Sequence, residues 1–81
     1  MTDRIDITEI ARQQTRKKTK YGKVQYMHRR SRGIYEIVAF AAIEATLRPV
    51  VVYRNVNTGA TFTRPEDEFF DGRFEPVSEA L

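Results

Sequence analysis

The stretch at residues 33–43, GIYEIVAFAAI, decides the fold, because it reads two ways. As an extended chain it places β-branched and aromatic side chains on both faces, which suits a strand buried on both sides and long enough to bend within a barrel. As a helix it is also consistent, since the overlapping run IVAFAAIEATL is apolar and alanine favours helix. Read as a strand, it is the second of five.

Upstream of it, KVQYMH sets Val24, Tyr26 and His28 on one side and Lys23, Gln25 and Met27 on the other, the period of a half-buried strand. Downstream, RPVVVYRNV is strand by its valines and tyrosine, with Pro49 at the start, where a missing N–H does least harm. Asn57, Thr58 and Gly59 then form a three-residue loop with glycine in the left-handed position, so the flanking runs should pair as a hairpin. In RPEDEFFDGRF, Pro65 can begin a single helical turn whose acids suit the positive end of its dipole, and Asp71-Gly72 stops it before a last strand, RFEPV. Five short strands with one helical turn before the last predict a mainly β fold, a small SH3-like five-stranded barrel that closes on itself to avoid exposed edges.

In front of the barrel, Asp6 is placed to cap a short amphipathic helix, and Glu9 to complete a capping box, with Ile7, Ile10 and Ala11 on one face. Arg16, Lys17 and Lys18 suit the negative end of its dipole, and the helix should fray near Thr19. The competing reading is a mobile basic arm, because an isolated helix of this length is marginal in water. The expected organisation is a helix or basic arm at residues 1–21 and one small barrel domain at 22–78.

The 81 residues bound one domain that buries little of its surface, and the absence of cysteine leaves stability to packing alone. No apolar stretch is long enough for a membrane span, and the acids in MTDRIDITEI do not suit a secretory signal, so a cytoplasmic protein with no membrane role is expected. The net charge of +3 conceals two blocks of opposite sign. Residues 12–33 hold Arg12, Arg16, Lys17, Lys18, Lys20, Lys23, Arg29, Arg30 and Arg32 with no acid, whereas Glu66, Asp67, Glu68, Asp71, Glu75 and Glu79 face Arg73 alone in the tail. Such blocks predict a directional field that draws a polyanion to one side of the molecule.

Several of these residues together resemble a family of small bacterial and phage domains of unknown function. The shared positions are Tyr26 and His28, Gly33 and Tyr35, Thr46, Leu47, Pro49, Val51, Val52 and Tyr53, then Arg64, Pro65 and Phe69, spanning residue 22 to about 74. The loop before Tyr35 is longer here and rich in arginine, Phe62 stands where the family tends to have Trp, and IEAT replaces a His-Ser-Glu-Thr stretch. The resemblance implies a compact β domain and no agreed activity.

The chemistry must therefore come from the residues. His28 is the sole imidazole, Ser31 and Ser78 are the serines, and on a strand His28 and Ser31 would point to opposite faces. The PEDE cluster lacks calcium-loop spacing and reads as a solvated first turn. No catalytic residue, metal site or cofactor is expected, and the protein reads as a non-enzymatic binding module. Its ligand would be a phosphate-bearing polyanion, with nucleic acid preferred. Lys17, Lys18, Lys20, Lys23, Arg29, Arg30 and Arg32, with Arg54 and Arg64 at the rim, would hold phosphates. Tyr21, Tyr26 and His28 would stack on bases. A competing assignment puts Tyr35, Tyr53, Phe40 and Phe62 in the core and makes His28 structural. The rival function is a phage accessory protein acting in the host cytoplasm, which inhibits a host system by binding a host protein or sequestering a small nucleotide signal; a homodimer is compatible with either.

Overall fold

The structure is a computed structural model that describes residues 6–77; Ser78 and Glu79 of the sequence reading lie outside the described residues, as do the first five. The chain runs α1 (Ile7–Tyr21), β1 (Gln25–His28), β2 (Ile34–Ala42), β3 (Pro49–Asn55), β4 (Thr61–Pro65), α2 (Glu66–Phe69) and β5 (Phe74–Val77). It is mainly β: the strands form one antiparallel sheet in the order β4-β3-β2-β1-β5.

The ambiguous stretch is strand β2, and its double meaning has a structural cause. The pairing of β2 with β3 shifts between Ile37 and Ala39, which leaves Val38 as an extra residue in a β-bulge. The bulge turns Phe40 to the same side as Ile37, so both are buried three residues apart. Apolar residues at i and i+3 are the signature of a helix face, and here a strand acquires it by gaining one residue.

All three hairpins close with one loop geometry. The N–H of His28 donates to Gly33 O at 2.9 Å and that of Arg32 to His28 O at 2.7 Å. The same pattern joins Ile43 to Arg48 and Leu47 to Ile43, and then Asn55 to Ala60 and Gly59 to Asn55. The fourth loop residue is left-handed each time, with φ of 67° at Arg32, 62° at Leu47 and 80° at Gly59. The β3–β4 loop thus includes Val56 and is one residue longer than its sequence suggests, because the Asn55 side chain accepts the N–H groups of Asn57 and Thr58 and draws the turn around itself.

Helix α1 begins as the sequence predicts: Asp6 accepts the N–H of Glu9 at 3.1 Å. The reciprocal half of the capping box is replaced, since Glu9 binds Arg12 and Gln13 one turn further on. Rather than fraying near Thr19, the helix continues to Tyr21, whose ring packs 6.2 Å from Phe40 and 5.0 Å from Phe70. Gly22 ends it in a right-handed conformation, and a Cβ there would lie 2.5 Å from Lys18 O. The helix lies along β2, and Lys17 Nζ reaches both carboxylate oxygens of Glu66 on α2 at 3.0 Å.

The core is aromatic. Tyr26, Ile37, Phe40, Val51, Tyr53, Phe69 and Phe74 form one buried cluster. The single turn of α2 drives Phe69 into its centre, fully buried and stacked 4.3 Å from Phe74. The sheet is not closed into a barrel: β4 and β5 are its two edges, and no ladder joins them. Side chains meet across the gap instead of backbones, with the Arg64 guanidinium 5.6 Å from the centre of the Phe74 ring, and Pro76 removes one donor from the β5 edge. Among the described residues, no helix is long and apolar enough to cross a membrane.

Candidate functional site

The gap between the edge strands is where unusual chemistry gathers. Phe62 and Arg64 share one face of β4, two residues apart, and Phe62 pairs with Tyr53 on β3. Phe74 on β5 pairs with His28 on β1, and their rings meet edge to face at 4.9 Å. Tyr35 closes the set, 5.4 Å from Tyr53, 5.8 Å from Phe74 and 6.4 Å from Phe62. These rings, with Ser31 and Arg64, line an open cleft of about 240 Å³. It adjoins a larger one of about 580 Å³ lined by His28, Arg29, Arg30, Arg64 and Arg73. The result is an aromatic floor beside an arginine rim.

Each rim residue has a distinct electrostatic state. Arg64 Nε donates to Tyr53 Oη at 3.3 Å while its guanidinium lies over Phe74, so it is oriented by neutral groups and makes no ion pair among the described residues. Arg30 is exposed and likewise makes no ion pair among them. Arg29 pairs with Glu75 at 3.1 Å, and Arg73 with Asp71 at 3.2 Å and Glu68 at 3.8 Å. Those pairs are solvent-exposed, and such contacts contribute little and exchange readily. Two uncompensated guanidiniums therefore face the cleft, and two more can be recruited.

His28 and Ser31 are in contact, contrary to the opposite faces a strand would give them. Ser31 lies in the loop, which folds back so that its N–H donates to His28 Nδ1 at 3.2 Å, with its Oγ 3.4 Å from the same nitrogen. Since a backbone N–H only donates, Nδ1 is the acceptor and the proton of the neutral ring sits on Nε2. Ser31 Oγ also accepts the N–H of Gly33 at 3.3 Å, which fixes the loop.

The basic block of the sequence does not form one surface. Lys23 and Arg29 flank the two ends of β1, roughly 20 Å apart along extended chain. Lys17 is held by Glu66, and Arg54 donates to Glu36 at 2.9 and 2.6 Å on the opposite face of the sheet from Tyr53. Arg32 turns toward Met27 Sδ, also away from the cleft. Lys18, Lys20 and Lys23 are exposed around the end of α1, Lys20 over the neighbouring Tyr21 ring at 5.2 Å. Of the expected phosphate contacts, Arg29, Arg30 and Arg64 come together at the cleft.

Of the three expected stacking rings, one is buried and one lies away from the cleft. Tyr26 is 4% exposed, with Phe69 and Phe70 against its ring and its hydroxyl donating to Tyr21 O at 3.2 Å. Burial, and next the neighbouring Tyr21, push its pKa above the ordinary tyrosine value of 10.0. Tyr21 packs on Phe40 and Phe70, and His28 remains at the cleft. Conversely Phe62, expected in the core, is 48% exposed at the cleft mouth, because β4 is an edge strand with no neighbour to cover it. Arg73 was not expected at all. The alternation of Phe62 with Arg64 is legible in the sequence, but the approach of β4 to β5 is not.

Among the described residues, no three histidine, cysteine or carboxylate side chains are grouped as metal ligands. Comparison with protein families, with curated proteins and with solved structures finds no match to this chain.

Proposed function

We propose that this chain is a non-enzymatic binding module that recognises a nucleotide unit of nucleic acid in the cleft between β4 and β5. Arg30 and Arg64 contact phosphate, and Phe62 with Tyr35 and His28 receives the base. A guanidinium fork matches two phosphate oxygens at once, and a base stacks on any aromatic face, so adjacency of the two is what such a ligand requires. The observation that supports this most is Arg64, uncompensated by any carboxylate among the described residues and held by Tyr53 Oη and the Phe74 ring beside the aromatic floor. The strand order, the bulge in β2 and the helical turn before β5 support reading the sheet as an SH3-like barrel opened along this seam. Kinship with the small bacterial and phage domains it resembles fits that architecture.

The rival, sequestration of a small nucleotide signal, is favoured by the small volume of the aromatic cleft, about 240 Å³.

The test is fluorescence anisotropy of labelled single-stranded DNA and RNA, titrated with protein at several salt concentrations. Arg64→Ala and Arg30→Ala should each weaken binding about tenfold, the loss of about 1.4 kcal/mol expected of one charge-assisted contact. Lys18→Ala, Lys20→Ala and Lys23→Ala should leave it within about twofold. Affinity that follows the lysines and ignores Arg64 would overturn the assignment.

A further inference from the structure

We infer that the cleft selects a terminal phosphomonoester, carried by a free nucleotide or by the end of a single strand, over the internal diesters of a polymer. The inference rests on the reading of the cleft as a nucleotide site and narrows it to one ligand chemistry.

Three observations converge. The first is charge: a phosphomonoester bears nearly two negative charges at neutral pH and a diester one, and Arg30 and Arg64 are the two rim cations with no carboxylate partner among the described residues. Two guanidiniums around one cleft match a single dianion better than a row of monoanions. The second is what surrounds them. Glu75 stands at Arg29, and Glu68 and Asp71 stand at Arg73, so carboxylates lie beside two of the four rim arginines. A chain that ends in the cleft meets less of their repulsion. The third is the number of stacking platforms. Phe62 is the most exposed ring of the floor, Tyr35 and His28 are half-buried beside it, and Tyr53 and Phe74 are buried, so the floor offers one open platform for a base.

The experiment compares, by calorimetry and by competition anisotropy, a single-stranded hexanucleotide with a 5′-phosphate, with a 3′-phosphate and with hydroxyl ends. Its 20-nucleotide counterparts, the nucleoside 5′-monophosphates and inorganic phosphate complete the set. A phosphorylated end should bind at least tenfold tighter than the hydroxyl-ended strand, with no gain in affinity from the hexamer to the longer strand. The logarithmic salt dependence should have a slope of roughly −1.5 to −2, that of two to three phosphate charges on a single strand. Arg64→Ala and Arg30→Ala should abolish the preference for the phosphorylated end; Arg30 is exposed, so its variant folds even if Arg64→Ala does not. Mononucleotides binding as tightly as phosphorylated oligonucleotides would identify a free nucleotide as the source, and weaker mononucleotide binding a strand end. Equal affinity for phosphorylated and hydroxyl-ended strands, rising with length, overturns this inference and leaves the nucleic-acid module standing. No binding by any of these ligands overturns both.

Discussion

Tyr26 shows how one residue moves from site to scaffold. Alternation with His28 put it on the useful side of β1, and that side proved to be the core, where its hydroxyl meets Tyr21 O. Its pKa is raised in the fold, first by burial, so the folded protein holds the phenolic proton more tightly than the unfolded chain does. The linked stability is fully present below pH ~10 and is lost as pH rises above it, because there the unfolded state binds fewer protons. Chemical denaturation of Tyr26→Phe should therefore show a loss of about 0.5–1.5 kcal/mol at pH 7, from the missing hydrogen bond, together with a flatter decline between pH 9 and 11 than the parent. An unchanged alkaline limb would mean that another group dominates it. Phe69 argues the same point through volume. Its ring is fully buried between Tyr26, Tyr53 and Phe74, so Phe69→Ala should cost about 3–5 kcal/mol, most of the stability of a domain this small. A urea transition that moves by less than half of that would place the centre of the core elsewhere.

At the scale of elements, the three hairpins form a controlled comparison. They share one loop, and the left-handed fourth position is arginine, leucine and glycine in turn. A side chain there costs about 1–2 kcal/mol relative to its preferred backbone region, a cost glycine does not bear. Arg32→Gly should accordingly raise stability by about 1 kcal/mol, or ~4–8 °C in thermal midpoint, because Arg32 is exposed and its guanidinium gives up no more than a weak 3.9 Å contact to Met27 Sδ. Gly59→Ala should lower stability by a similar amount, although a Cβ there would meet nothing within 4 Å. If both variants leave the midpoint unchanged, the loops tolerate another conformation. Arg32→Gly should also leave nucleotide affinity intact, since that arginine faces away from the cleft. Strands β3 and β4, the cap at Asp6, the turn of α2 and the left-handed Gly59 were legible in the sequence, because propensity, period and turn chemistry act between near neighbours. The bulge at Val38 was not, because the extra residue is defined only against its partner strand.

For the molecule as a whole, charge is the property that folding rearranged most. The sequence separates cations from acids into two blocks, and the fold brings them together again. Lys17 pairs with Glu66 and Arg29 with Glu75 across the two blocks, while Arg48, paired with Asp67 and Glu68, and Arg54, paired with Glu36, are cations from outside the basic block. Arg16, Lys18, Lys20 and Lys23 stay exposed around α1, while at the seam between β4 and β5 Arg64 is held by uncharged groups. Binding confined to that seam engages few phosphates, so the salt dependence should be shallow where a long basic stripe would make it steep. The candidate site was thus partly visible beforehand. Arg29, Arg30, Arg64 and His28 were named from residue type, whereas Arg73 and Phe62 acquired their positions only when the two edge strands approached each other.

By itself, the sequence determined most of the elements and their order, β2 and the N-terminal segment excepted, because those follow from interactions within a few residues: alternation, caps, a proline at a strand start, a glycine in a left-handed turn. Tertiary structure alone decided which side of β1 is core, which arginines keep a free charge and where an aromatic floor stays open. Those outcomes depend on groups far apart in the chain being brought within a few ångströms, and Coulomb and packing energies are set by distance through space.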